Sequence, residues 1–346
     1  MTLAQLRYLL AIIDSNLNIT LAAERAHATQ PGISKQLRLL EEELGFQIFV
    51  RRGKSLDRLS PAGAQVIERA RRILDEAASI RNLAANHRGE SQGELVIATT
   101  QTQARFVLPP ALKALKARYP DVTVRLNLFA DAEQARTAGR DADLLIASHV
   151  EAPDAAENAI PLYSWRRVAL FPDDHPLAAI ERPLTPVDLA AFPLIGYESA
   201  LGTHASVAAA FAAAGVETRF AYAAHDTEVI KAYVRSGLGV GLLAEMALVE
   251  EGDLLHRPVE GLPVCAAYAS LQAGRVPRDY AIDLVSVLAP QSPRRAIARR
   301  LSSIDSGAVK APLEWSQWRR AVDQLVLDGA AQEVAGAAAP ARYATA

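Results

Sequence analysis

Gln30, Ser34, Lys35 and Arg38 share one side of a stretch whose other side is Ile33, Leu37 and Leu40. Amide, hydroxyl, ammonium and guanidinium groups at this spacing stand on the first turns of a helix, the part that meets base edges and phosphates when a helix enters the major groove. Pro31 suits that place, because an amide hydrogen in the first turn has no intrahelical partner. A second polar set, Arg51-Arg-Gly-Lys-Ser-Leu-Asp-Arg58, is basic around a glycine and bounded by Phe49 and Leu59. It has the composition of a wing in which Arg51, Arg52 and Lys54 hold phosphates. A third set, Thr99-Thr-Gln-Thr-Gln103, follows the apolar Leu95-Val-Ile-Ala98. Hydroxyls and an amide beside the free N–H groups of a helix start can hold a sulfate or a small carboxylate; threonines at a strand end and cap are equally consistent with a purely structural role.

These groups need elements to position them. Leu3, Leu6, Leu9, Leu10 and Ile13 recur at helix spacing and stop at Asp14-Ser-Asn16. Thr20 is placed to cap a second helix and Thr29 a third, with Ala22 and Ala23 small enough for a close crossing. The spacing predicts a helix-turn-helix; an ordinary helical bundle with a solvated basic loop is the alternative. Ser60-Pro61 opens a long helix in which Val66, Ala70, Ile73, Ala77, Ile80 and Ala84 alternate by fours and threes, forming a narrow seam. That seam packs either on its own domain or on a second chain. Pairing with a second chain would hold two reading helices about one DNA turn apart, roughly 34–36 Å or a multiple.

The 346 residues include 37 Lys and Arg against 39 Asp and Glu. The sum hides a division: residues 1–90 carry +3 and the remainder −5. A near-neutral total therefore does not exclude nucleic acid. The polar run Asn86–Glu94 reads as a linker or hinge. Beyond it, strand-like runs at 122–128, 168–171, 193–197 and 264–269 alternate with helical runs at 105–118, 204–214, 226–236 and 278–289, the pattern of α/β layers. After about 307, Trp315 and Trp318 mark a short amphipathic stretch that fades into an Ala-rich tail. With one cysteine and no run of 18 uncharged apolar residues, the expectation is a soluble cytoplasmic protein.

Residues 6–12 (LRYLLAI), 21–52 (LAAERAHATQPGISKQLRLLEEELGFQIFVRR) and 59–63 (LSPAG) resemble the winged helix-turn-helix of LysR-type transcriptional regulators. More narrowly, ATTQTQARFVLPP at 98–110 and DTEVIKAYVRSGLGVGLLAEMA at 226–247 are similar to the CysB-like branch, which controls sulfur assimilation and cysteine or sulfonate use. The resemblance implies an α/β fold with a winged helix-turn-helix at 1–60, a dimerisation helix and hinge at 61–90, and a two-lobed Rossmann-like effector domain of periplasmic-binding-protein type at 91–310. Residues 311–346 would form a C-terminal helix and loose tail. It implies that Thr100, Thr102 and Gln103 bind the effector, joined by Ser148 where the branch commonly has threonine, by Thr203 in a loop that departs from the branch's Thr-Gly-Arg order, and by Asp226. The implied partners are double-stranded DNA, a small effector such as sulfate, O-acetylserine or N-acetylserine, a homodimer assembling to a tetramer, and RNA polymerase, with no membrane. A regulator of another pathway and a ligand-insensitive repressor remain alternatives.

An enzyme is the remote alternative. Gly237-Leu-Gly-Val-Gly241 follows a helical run and precedes an apolar one, opposite to the strand-turn-helix order of a dinucleotide fingerprint. The seven histidines show no metal-ligand spacing, and Cys265 sits in an apolar strand-like run, so neither a metal nor a cofactor is expected.

Overall fold

The computed structural model describes residues 1–53, 55–139, 141–150, 158–198, 206–248, 252–271, 275–302 and 309–337; Lys54 and Thr203 lie outside them. The chain forms two units, one from residues 1–88 with 274–276 and one from the remainder.

In the first unit, α1 (Leu3–Asp14), α2 (Ile19–Arg25) and α3 (Gln30–Leu44) precede a hairpin of β1 (Phe49–Arg52) and β2 (Ser55–Leu59), then α4 (Pro61–His87). Each helix begins at a side-chain cap. Thr2 and Gln5 form a reciprocal capping box on α1, Thr29 accepts from the Gly32 amide on α3, and Ser60 accepts from the Gly63 amide on α4. The cap of α2 is Asn18 rather than the expected Thr20: the helix starts at Ile19, so Thr20 falls inside its first turn. Ala22 and Ala23 are buried, as a close crossing requires, in a core with Leu6, Leu9, Ile33 and Leu37. Gly63 is obligatory in this core, since a Cβ there would lie 2.1 Å from the Ile48 carbonyl oxygen.

The seam of α4 is corrected at its start. Ala70 is buried in this same core and Val66 is half-buried against it, so both pack on their own unit. A helix of 3.6 residues per turn drifts by about 20° per heptad relative to a seven-residue stripe. The early positions therefore turn towards the core while Ile73 and Ile80, with Leu83 beside them, stay 38%, 67% and 54% exposed. On another side of α4, Arg275 pairs with Asp75 at 2.7 Å, Ser79 Oγ accepts from the Val276 amide, and Asn82 donates to the Val276 carbonyl.

The second unit contains β3 (Gly93–Thr100), α5 (Gln101–Phe106), α6 (Leu108–Arg118), β4 (Val122–Phe129), α7 (Ala132–Ala138), β5 (Leu144–His149), β6 (Ile160–Trp165), β7 (Arg167–Pro172), α8 (Pro186–Leu189) and β8 (Leu194–Tyr197). It continues through α9 (Ser206–Ala213), β9 (Phe220–Ala224), α10 (Thr227–Arg235), β10 (Val240–Ala244), β11 (Leu254–Pro258), β12 (Cys265–Leu271), α11 (Asp279–Leu288), α12 (Arg294–Leu301), β13 (Leu313–Glu314) and α13 (Trp315–Ala337). Two mixed sheets result, ordered β13-β6-β12-β5-β3-β4 and β11-β7-β10-β8-β9. The chain crosses between them at Arg166 and again over residues 259–264. This is the two-lobed architecture that the resemblance implies.

Two local differences from the sequence reading have clear causes. The expected helix over 105–118 is broken at Val107 into α5 and α6, because Pro109 and Pro110 supply no N–H to carry the ladder across. The end of the chain begins more firmly held than a loose stretch: β13 joins β6, and Trp318 is fully buried with its Nε1 donating to the Leu288 carbonyl at 2.6 Å. The glycines at 237 and 239, with φ of +70° and +155°, make the helix-to-strand turn between α10 and β10.

Candidate functional site

On the first unit, α3 presents Gln30, Pro31, Lys35 and Arg38 to solvent, with Ser34 half-buried and accepting from Gln30 at 3.3 Å. Lys35 and Arg38 form no ion pair with any described residue, so both cations are available to an anionic surface. The wing is a true hairpin, with Phe49 opposite Leu59 and Arg52 opposite Ser55. Its two arginines differ. Arg52 is exposed, whereas Arg51 pairs at 3.2 Å with Glu41, whose other oxygen accepts from the Ile48 and Phe49 amides. Glu41 is a buried strut between α3 and the wing, and Arg51 neutralises it; the positioning role is one that spacing alone did not reveal.

In the second unit, the carboxyl ends of β3 and β5 from one sheet and β8 and β10 from the other border a cavity of about 330 Å³. Ligands of open α/β sheets bind at such strand ends, and this volume falls in the range of small-molecule sites. Thr100, Thr102, Gln103 and Ser148 all line it. Thr100 stands at the start of α5 without its hydroxyl capping the helix, leaving that group for other partners. Thr102 reaches Tyr197 at 3.5 Å, and Tyr197 in turn contacts Thr227 at 2.9 Å. Burial pushes the Tyr197 phenol above its ordinary range, so it stays neutral and can serve only as a hydrogen-bonding group.

Ser148 is the most defined of these groups. Its oxygen accepts from Gln103 Nε2 at 2.8 Å and from Trp165 Nε1 at 2.9 Å. With both lone pairs occupied, its proton is left to donate into the cavity. Gln103 is itself buried, and its carbonyl accepts from the buried Tyr163 hydroxyl, so the amide orients Ser148 as much as it lines the cavity. Burial raises the Tyr163 phenol well above its usual value and keeps it a neutral donor. Asp226 is not among the residues lining the cavity; it caps α10 through the Glu228 amide at 2.6 Å and accepts from Gln101, which does line it, so its carboxylate joins β3-α5 to α10. Trp165, Arg167 and Tyr197 were not picked out by the sequence reading. Only Arg167 left a signal there, as a charged residue at the mouth of the buried run Val168–Phe171.

Two family profiles cover these two regions: "Bacterial regulatory helix-turn-helix protein, lysR family" over residues 3–64 and "LysR substrate binding domain" over residues 88–301. The chain belongs to the LysR family of transcriptional regulators. This regulator is 34% identical over 325 residues to the transcriptional regulator CysB of Haemophilus influenzae, covering 91% of this chain and 98% of that one. It is 36% identical to the regulator Cbl of Escherichia coli K12, covering 81% and 90%. Among solved structures it resembles a full-length OxyR variant of Pseudomonas aeruginosa with a TM-score of 0.64 at 25% identity, over 83% of this chain and 94% of that one. The regulator is thus a DNA-binding protein and not an enzyme. Among its described residues no group of His, Cys, Asp and Glu could hold a metal ion, and no helix is long and apolar enough to cross a membrane.

Proposed function

We propose that this regulator controls genes of sulfur assimilation or sulfonate use in response to a small anionic or amino-acid-like effector bound in the inter-lobe cavity: sulfate, O-acetylserine, N-acetylserine or a related compound. The observation that carries the effector reading is Ser148, whose oxygen is saturated by Gln103 and Trp165 and whose proton is thereby aimed at an acceptor. Thr100 and Thr102 add hydroxyls to the same wall. Similarity to CysB and Cbl supports the pathway.

In this reading Gln30, Ser34, Lys35 and Arg38 read base edges and phosphates while Arg52, supported by Arg51, holds the backbone. The exposed stripe of Ile73 and Ile80, with Ala77 and Ala84 between and after them, pairs with the same helix of a second copy, and dimers join into a tetramer that contacts RNA polymerase at promoters. Effector binding favours one relative angle of the two lobes, and DNA responds because the two arrangements differ in affinity for it. A thermal-shift panel of sulfate, thiosulfate, O-acetylserine, N-acetylserine and sulfonates tests the effector reading. At least one should raise the unfolding temperature, with a shift that grows with the logarithm of its concentration once that exceeds Kd. A regulator that binds its upstream DNA but is stabilised by none of them is a ligand-insensitive repressor or serves another pathway.

A further inference from the structure

We propose that Arg167 is the cation that fixes the anionic group of the effector, an inference that rests on the cavity being the effector site. Arg167 opens β7, directly after the crossing from one lobe to the other, and its side chain lines the cavity. Three segments hold it in place. Its guanidinium carbon lies 5.6 Å from the centre of the Trp165 ring, Nη1 donates to the Pro263 carbonyl at 3.1 Å, and Nη2 donates to Ser206 Oγ at 3.2 Å. Trp165 ends β6 just before the first crossing and Pro263 lies in the second, so both connections between the lobes meet near this side chain.

Those contacts leave the charge unanswered. Guanidinium has five N–H donors; a carbonyl and a hydroxyl take two, and the Cys265 thiol contacts it as well. Among the described residues no carboxylate stands within ion-pair distance of Arg167. The acidic residues on the cavity wall are otherwise engaged: Asp131 caps α7 through the Gln134 amide, and Glu133 is held by Arg136 at 2.7 Å. A half-buried, oriented guanidinium with spare donors and no counter-ion among the described residues is a receptor for two oxygens of a carboxylate, sulfonate or sulfate. The Ser148 hydroxyl, on the same wall system, supplies a neutral donor for a further oxygen. The cavity is in this way selective for a singly or doubly charged oxyanion over a neutral molecule of the same size.

Calorimetric titration of the full-length protein with sulfate and with N-acetylserine tests this on the parent, Arg167→Gln and Arg167→Lys, with the ligand-free unfolding temperature measured for each. A charge-assisted bidentate contact is worth enough that Arg167→Gln should weaken binding of the probe that the parent binds by about 30-fold, while Arg167→Lys recovers part of the loss. Ligand-free unfolding temperatures should stay within about 2 °C of the parent. Parent-like affinity in Arg167→Gln overturns the assignment while leaving the cavity as the effector site. Equal loss in both variants together with a large drop in ligand-free stability makes Arg167 a structural pin and overturns it too. If the parent binds neither probe, the cavity does not hold a small oxyanion through Arg167 and the proposal falls, while the cavity reading stands or falls on the wider thermal-shift panel.

Discussion

Lys35 and Arg38 stand exposed on one helix, unpaired among the described residues, whereas Ser148 and Arg167 reach their cavity only through partners brought from four other segments. The contrast follows from what each region must recognise. A DNA backbone is a large, uniformly charged surface, and free, hydrated side chains on a rigid helix suffice to meet it. A small anion offers a few oxygens, so its receptor needs donors whose direction is set in advance, and hydrogen bonds from Gln103 and Trp165 to Ser148 and from Arg167 to Ser206 set it.

If the two regions recognise their ligands through separate residues in this way, substitutions should sort between them. The largest effect is expected from Lys35→Ala with Arg38→Ala: operator affinity should fall by about 100-fold or more and the salt dependence should become shallower by about two phosphate contacts. Fluorescence anisotropy against salt reads both, and ligand-induced thermal stabilisation should remain as in the parent. Next, Gly63→Ala should cost the first unit about 2 kcal/mol, because its Cβ would meet the Ile48 carbonyl oxygen at 2.1 Å. Denaturant unfolding would detect this, again with effector affinity retained. A loss of effector binding in either protein would break the comparison.

Ser148→Ala probes the other side. It removes one of the cavity's donors and strands the Trp165 indole and Gln103 amide, so effector affinity should drop by about 10-fold in calorimetry while DNA binding without effector is preserved. The smallest effect concerns the pH dependence of the second unit. The Arg182 guanidinium, helped by Thr185, holds the Asp188 carboxyl well below the usual carboxylate range. A depressed folded value stabilises the protein fully above the unfolded value of about 3.9, and the gain is lost as pH falls from there towards the folded value. Asp188→Asn should therefore lower the unfolding temperature slightly at pH 7, with the gap to the parent closing below about pH 4.

The same contrast explains what could be read from the chain. Helices and caps of the first unit depend on neighbours within a turn, so Ile33, Leu37 and Leu40 announced α3 and Thr29 its start. The α4 seam misled at Val66 and Ala70 because periodicity marks an apolar face without saying whether the face turns to its own core. Thr100, Thr102 and Gln103 were visible as a compact motif. Trp165 and Tyr197 were not, since each occupies a strand of ordinary composition and gains its role only when two sheets bring distant strand ends together. An aspartate before a helix suits both a cap and a binding site, and the sequence does not separate the two; the contacts of Asp226 with the Glu228 amide and Gln101 show the cap.

The central claim is that a small oxyanion in the second unit changes how the first reads DNA. The direct measurement is a footprint of the full-length protein on its own upstream region, at fixed salt, with and without whichever probe stabilises it in the thermal panel, for the parent and for Ser148→Ala. The account predicts that the probe alters the footprint or affinity of the parent and that Ser148→Ala needs about 10-fold more of it for the same change. A parent footprint identical with and without a tightly bound probe would contradict the account.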